Sequence, residues 1–209
     1  MSIVTLNNRA LRSATAVGTT TALGSMTFIK KLTASSSSTL SFVDGSSSVV
    51  LDDTYKEYIF TFNNIHPSAV SVFSFNGSID TGSNYNVTKT STYFHASHNE
   101  SGSAQELALG ITAGRLAQST DFQMLAYNVS TANDECYSGY LHLFNPSSTT
   151  FVKHYISNTF GVGVGPGDPY EINSYVAGYF NTTSAIDAVQ FKMSSGNIDA
   201  GDIVLYGIN

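Results

Sequence analysis

The feature that most constrains this chain is a side-chain alternation with a period of two across its last third, residues 136–208. Val189, Phe191 and Met193 point one way and Gln190 and Lys192 the other. In the final run Ile203 and Leu205 alternate with Val204 and Tyr206. That period belongs to a strand with one buried face; the apolar positions of a helix recur every three to four residues. Turn-forming clusters punctuate the runs at Asn145-Pro146-Ser147-Ser148, Asn181-Thr182-Thr183 and Ser194-Ser195-Gly196-Asn197. The chain is therefore expected to close with about five antiparallel strands.

Upstream the same period continues. Strands are expected over 26–32, 40–43, 55–63, 69–75, 87–98 and 122–129. In the third of these, Tyr58, Phe60 and Phe62 share a face opposite Glu57, Ile59 and Thr61. Asp44-Gly45 and Asn76-Gly77 have the chemistry of hairpin turns, and residues 49–51 are expected to pair briefly. A short helix is expected within 101–109, and the insert 99–121, long for a hairpin, is the natural place for specialised function. The stretch 161–170 (GVGVGPGDPY) reads as a flexible loop. Its glycines lack the following helix N-terminus that a phosphate cradle requires. The expected fold is all-β: an antiparallel β-sandwich, jelly-roll-like, over residues 26–209, with an extended N-terminal arm over 1–25.

Three runs, LDDTYKEYIFTFNNIHP, GYLHLFNPSSTTFVKHYIS and AGYFNTTSAIDAVQFKMSSGNIDAGDIVLYGI, resemble a group of virion proteins encoded by tailed phages of marine bacteria. Such proteins are usually described as tail-fibre-like or structural. The resemblance covers roughly residues 26–209. It implies a place on the surface of a phage particle, head or tail, and adds no catalytic set, because the shared residues are turns and core strands. Homotrimers are common in such appendages, so a homo-oligomer is expected, its number unset. The alternatives it leaves open are a capsid decoration protein and a stand-alone glycan-binding module.

Charge divides the chain unevenly. Before Asp44 there are four basic residues (Arg9, Arg12, Lys30, Lys31) and no acid. The remainder carries 5 basic and 15 acidic residues, within a net charge of −6. Residues 1–25 hold one short apolar run with Ile3, Val4 and Leu6, then Arg9, Leu11 and Arg12, and neither period persists. These six residues are the expected anchoring contacts of an arm that orders against other virion proteins by strand addition, in preference to a frayed terminus. Four sparse cations on an acidic body make nucleic acid a poor partner. No window approaches the roughly 18 apolar residues of a membrane span, and no secretory leader is expected from the N-terminus.

Little chemistry is legible. The charged fraction is 11%, under half the ~25% of ordinary soluble domains, and no nucleophile-elbow or P-loop pattern is present. No catalytic residue, metal ligand or cofactor is assigned. His95 and His98 fall on opposite faces of a strand at their spacing, and His142 and His154 flank one hairpin without a ligand companion. Asp80, with Asn84 and Asn86, offers calcium a single carboxylate. Glu57 and Glu171 are the carboxylates available to a glycosidase, but nothing brings them together. Cys136, the sole cysteine, reads as a small buried hydrophobe at the start of a strand. For sugar stacking the first candidates are Tyr137, Tyr140, Tyr175 and Tyr179, in a chain with no Trp.

Overall fold

The computed structural model describes residues 26–110, 112–164 and 168–208. The anchoring residues named above (Ile3, Val4, Leu6, Arg9, Leu11 and Arg12) lie outside the described residues. Twelve strands follow one another: β1 (Met26–Thr33), β2 (Leu40–Val43), β3 (Glu57–Pro67), β4 (Ser71–Ser78), β5 (Lys89–Asn99), β6 (Gln105–Ala108), β7 (Gln123–Val129), β8 (Tyr137–Phe144), β9 (Lys153–Gly163), β10 (Tyr170–Phe180), β11 (Ala188–Met193) and β12 (Ile198–Ile208). One short 3-10 turn, Thr112–Gly114, lies between β6 and β7. The last third closes with the five antiparallel strands its alternation predicts.

The pairing explains the architecture. β1 pairs with β12, β2 with β11, β3 with β8 and β4 with β7, all antiparallel. These four pairs are one long ribbon. Rolled up, it also joins β12 to β3 and β11 to β4, giving the two facing orders β1-β12-β3-β8 and β2-β11-β4-β7. That is the jelly-roll arrangement. Two insertions widen the first sheet beyond β8: β9 pairs with β8, β10 with β9, β5 with β10 and β6 with β5. The result is an eight-stranded sheet laid over a four-stranded one, with a single bridge, Val129 to Gly163, joining them at one edge.

The core between the sheets is aromatic. Phe191 of β11 sits at its hub, its ring centroid 5.3 Å from Phe60, 5.3 Å from Phe62, 5.9 Å from Phe73 and 6.2 Å from Phe42. Beside it Phe75 meets Tyr155 at 5.0 Å and Phe180 at 5.9 Å. Most of these pairs are edge-to-face, the geometry the ring quadrupoles favour, contributing about 0.5–1.5 kcal/mol each beyond burial.

Four local expectations are corrected. Residues 105–108 form β6, paired along β5 (His95 to Ala108, His98 to Gln105), and not a helix; an open strand edge outweighs the weak helix propensity of a four-residue stretch. Asn76-Gly77 is no turn but lies inside β4. Gly77 is there because a Cβ would fall 2.9 Å from the Phe180 ring. The Asn76 amide is spent on the carbonyls of Tyr85 and Thr120. Within 161–170 the strands run further than the glycines suggest, β9 ending at Gly163 and β10 starting at Tyr170. Residues 49–51 join no strand; Val49 and Leu51 instead plug the core from a loop in which Asp44 Oδ1 accepts the Leu51 N–H at 2.8 Å.

β3 also outruns its expected end. At Asn64 (φ 52°) it bulges and resumes as far as Pro67. The neighbouring β12 must place Gly201 (φ 113°) there, where a Cβ would sit 2.5 Å from the Asn64 carbonyl oxygen.

Candidate functional site

The strands that widen the larger sheet have two unlike faces. Inward from β5, β9 and β10 come Ser91, Tyr93, Tyr155, Ser157, Thr159, Ser174 and Val176, all buried. Their hydroxyls are paired: Thr159 Oγ1 donates to the Leu125 carbonyl at 2.6 Å, Ser157 Oγ to that of Tyr140 at 2.7 Å, and Tyr93 Oη lies 3.0 Å from Ser174 Oγ. Small polar residues inside the sheet let these strands lie close beneath β7. The alternate residues therefore have to face outward, and the sequence puts aromatic and branched side chains there.

Register fixes how they gather. Tyr140 is opposite Asn158, Asn158 opposite Tyr175, and Tyr175 opposite Phe94. The next row outward reads Ser138, Phe160, Asn173, Ala96 and Leu107, and the row on the other side reads His142, Ile156, Ala177 and Thr92. Phe94 is 43%, Ile156 41%, Phe160 50% and Leu107 76% exposed. The Phe94 and Tyr175 rings stack on each other, centroids 4.8 Å apart and planes within 9°. Polar groups on the face are tied sideways: the Asn158 amide donates to Asn173 Oδ1 and, at 3.1 Å, to the Ser174 carbonyl, and the Asn173 amide donates to Tyr175 Oη at 3.2 Å. Two shallow recesses lie on the face. One, of about 250 Å³, is lined by Tyr140, Asn158, Tyr175 and Phe94, the other, of about 340 Å³, by Thr92, His154, Ile156 and Tyr179.

Of the four sugar-stacking candidates, Tyr140, Tyr175 and Tyr179 stand on this face. Tyr179 is half-buried beside His154, 6.2 Å between rings, one recess away. Tyr137 is not available: it points into the core, 1% exposed, its hydroxyl donating to the Tyr127 carbonyl at 3.0 Å, and burial drives its pKa far upward. It differs from Tyr140 by an odd number of residues along β8, so the two had to face opposite ways. Phe94, Ile156, Phe160 and Leu107 were missed. Their signal was present in the alternation, since within β9 the residues out of phase with Tyr155 are as apolar as those in phase.

The other constellations do not assemble. His95 is buried and His98 exposed, on opposite faces as their spacing requires. His142 Nε2 lies 2.9 Å from Glu57 Oε2 but off the ring N–H axis, so the two do not form a directed hydrogen bond. Its ring stacks on Phe144 at 4.0 Å. Glu57 pairs with Phe144 at one end of the sheet, and Glu171 with Val162 at the other, with β8 and β9 between their strands. The Asp80 carboxylate is consumed locally, accepting from Ser78 Oγ, the Asn84 N–H and the Asn84 amide; these bonds hold its pKa down to about 2. Among the described residues no three or more His, Cys, Asp or Glu come together as a metal site would need, and no helix is long and apolar enough to cross a membrane.

A recess of about 520 Å³ lies elsewhere, lined by Asn64, His66, Glu135, Cys136 and Asp199. Cys136 is half-buried there and not sealed in the core, its sulfur 3.6 Å from Asn64 Oδ1. Burial raises its pKa, the wrong direction for a nucleophile. His66 Nδ1 is a loose 3.9 Å from Asp199. The recess shows no convergent catalytic geometry, so the aromatic face is the better candidate.

No family model, curated protein or solved structure matches the chain.

Proposed function

We propose that this chain is a non-enzymatic structural component of a tailed-phage virion, a tail-fibre or appendage protein held to the particle through residues 1–25 with its body turned toward the host. The observation that carries the reading is a jelly-roll body whose widened sheet presents a broad, nearly uncharged aromatic face to the outside. Jelly rolls serve as viral shell and lectin domains, and a face of this kind marks contact with other macromolecules more than turnover of a small substrate. The sequence resemblance over residues 26–209 supports the same reading.

One observation favours a second reading, a stand-alone glycan-binding module: Tyr140, Tyr175 and Phe94 meet over a recess of about 250 Å³. The two separate by experiment. Mass spectrometry of purified particles should find the chain, and a form lacking residues 1–25 should fold, stay soluble and fail to incorporate. Incorporation of the truncated form would refute the anchoring role. A chain absent from particles that still binds sugars would favour the module.

A further inference from the structure

Among the described residues of β8, β9, β10, β5 and β6, one carboxylate stands on the outer face, Glu171, in the row nearest the β9–β10 turn and opposite His98. The charged residues that could have broken the face point elsewhere. Lys89 and Lys153 are buried on the inner side, and Glu106 lines a recess with His95 and Tyr127 there. The outer face of the four-stranded sheet is built differently, with Gln190 donating to Ser41 and Lys192 lying 4.0 Å over the Phe122 ring. Among the described residues, only the widened sheet combines breadth, exposed aromatic surface and so little charge.

We propose that this face is the surface through which the chain associates with another copy of itself. Area is the first argument. Three strands of eleven residues, one of eight and one of four, spaced 4.7–4.9 Å apart with a rise of about 3.3 Å per residue, present on the order of 700 Å². That is close to the roughly 800 Å² one partner buries in a standard stable interface. Electrostatics is the second. Two copies each carrying −6 repel over most of their surface, and on this face each brings one strand carboxylate, Glu171, at the end of the sheet beside His98. The third is hydrogen bonding: Asn158, Asn173 and Tyr175 already satisfy one another sideways, so covering them strands few polar groups. The stacked Phe94–Tyr175 pair also favours protein over sugar. Each ring spends one of its faces on the other, which leaves less free ring face for a sugar.

The inference does not rest on the virion reading, since purified full-length protein tests it alone. Sedimentation over a dilution series should give a multiple of the single-chain mass. Replacing Phe160→Glu together with Leu107→Glu should weaken association at least ~100-fold, because each copy then sets like charges against the other. Phe160→Leu, and Lys192→Glu on the opposite sheet, should leave it intact, with unchanged far-ultraviolet circular dichroism as the folding control. In the unaltered protein, tetranitromethane should spare Tyr140 and Tyr175 when the chain is concentrated and modify them on dilution. Single-chain mass at every concentration, or an assembly indifferent to the paired glutamates, would overturn the proposal. So would a monomer that binds sugar through Tyr175.

Discussion

Phe191→Ala tests the sandwich at its hub. The ring is fully buried and lies within 6.3 Å of five other phenylalanines drawn from both sheets. Exposing a phenylalanine side chain forfeits about 1.5–3 kcal/mol of transfer free energy. A residual cavity of roughly 100 Å³, at about 24 cal/mol per Å³, adds some 2 kcal/mol. The sum, about 4–5 kcal/mol, sits at the upper end for buried Phe→Ala, as expected where neighbours are rigid rings that cannot collapse inward. For a chain of this length that corresponds to a midpoint lowered by about 10–15 °C. Urea unfolding followed by far-ultraviolet circular dichroism and tyrosine fluorescence measures it, with Val70→Ala, exposed just before β4, as a control expected within about 0.5 kcal/mol. A loss below about 2 kcal/mol for Phe191→Ala would refute the reasoning, because the two sheets would then not meet at that ring.

Lys89 is buried, its ammonium donating to Asn76 Oδ1 at 2.7 Å and the Val87 carbonyl at 2.8 Å, and desolvation pushes its pKa down to about 7. The unfolded chain holds that proton up to its ordinary value near 10.5, so stability should rise with pH between about 7 and 9.5 by at most ~1.4 kcal/mol per unit; urea titrations should show the rise in the parent and a flat profile in Lys89→Met. Tyr93, pushed up to about 12 by burial, and Tyr155, raised for the same reason, act oppositely. Their contribution is complete below the unfolded value near 10 and declines above it, so stability should peak between the two windows. Gly139→Ala should cost about 1–3 kcal/mol or more, since its Cβ would lie 2.2 Å from the Asn158 carbonyl oxygen at a φ of 149°; a neutral outcome in thermal unfolding would contradict the β8–β9 register. Tyr137→Ala should destabilise the body by about 3–5 kcal/mol without a specific effect on any outer-face ligand, read from unfolding and binding in parallel.

The fold was legible where one face of a strand is apolar and the other polar. β3, β11 and β12 have the alternation of Tyr58-Phe60-Phe62, Val189-Phe191-Met193 and Ile203-Leu205, and their inward faces are those the pattern indicates. It failed where side-chain chemistry was spent on a neighbour far along the chain. Asn76-Gly77 has turn chemistry, but Phe180 occupies the space a side chain at Gly77 would need, and Lys89 bonds Asn76 Oδ1. Neither contact can be read from local spacing. β6 was missed because it forms only against the open edge of β5. The site was half legible. Tyr140 and Tyr175 stood out as tyrosines, but a strand apolar on both faces, such as β9 with Tyr155 inside and Ile156 and Phe160 outside, looks from sequence like ordinary core. Only the register, which brings Asn158 beside Tyr175 and Tyr175 beside Phe94, turns scattered residues into a surface.

Gold-labelled antibodies raised against residues 26–209 and applied to intact particles test the placement of this jelly roll most directly. The account predicts gold on the tail or its appendages, lost when residues 1–25 are removed. Gold confined to heads would move the chain to shell decoration, and particles that carry no gold and yield no peptides of this chain would contradict the account.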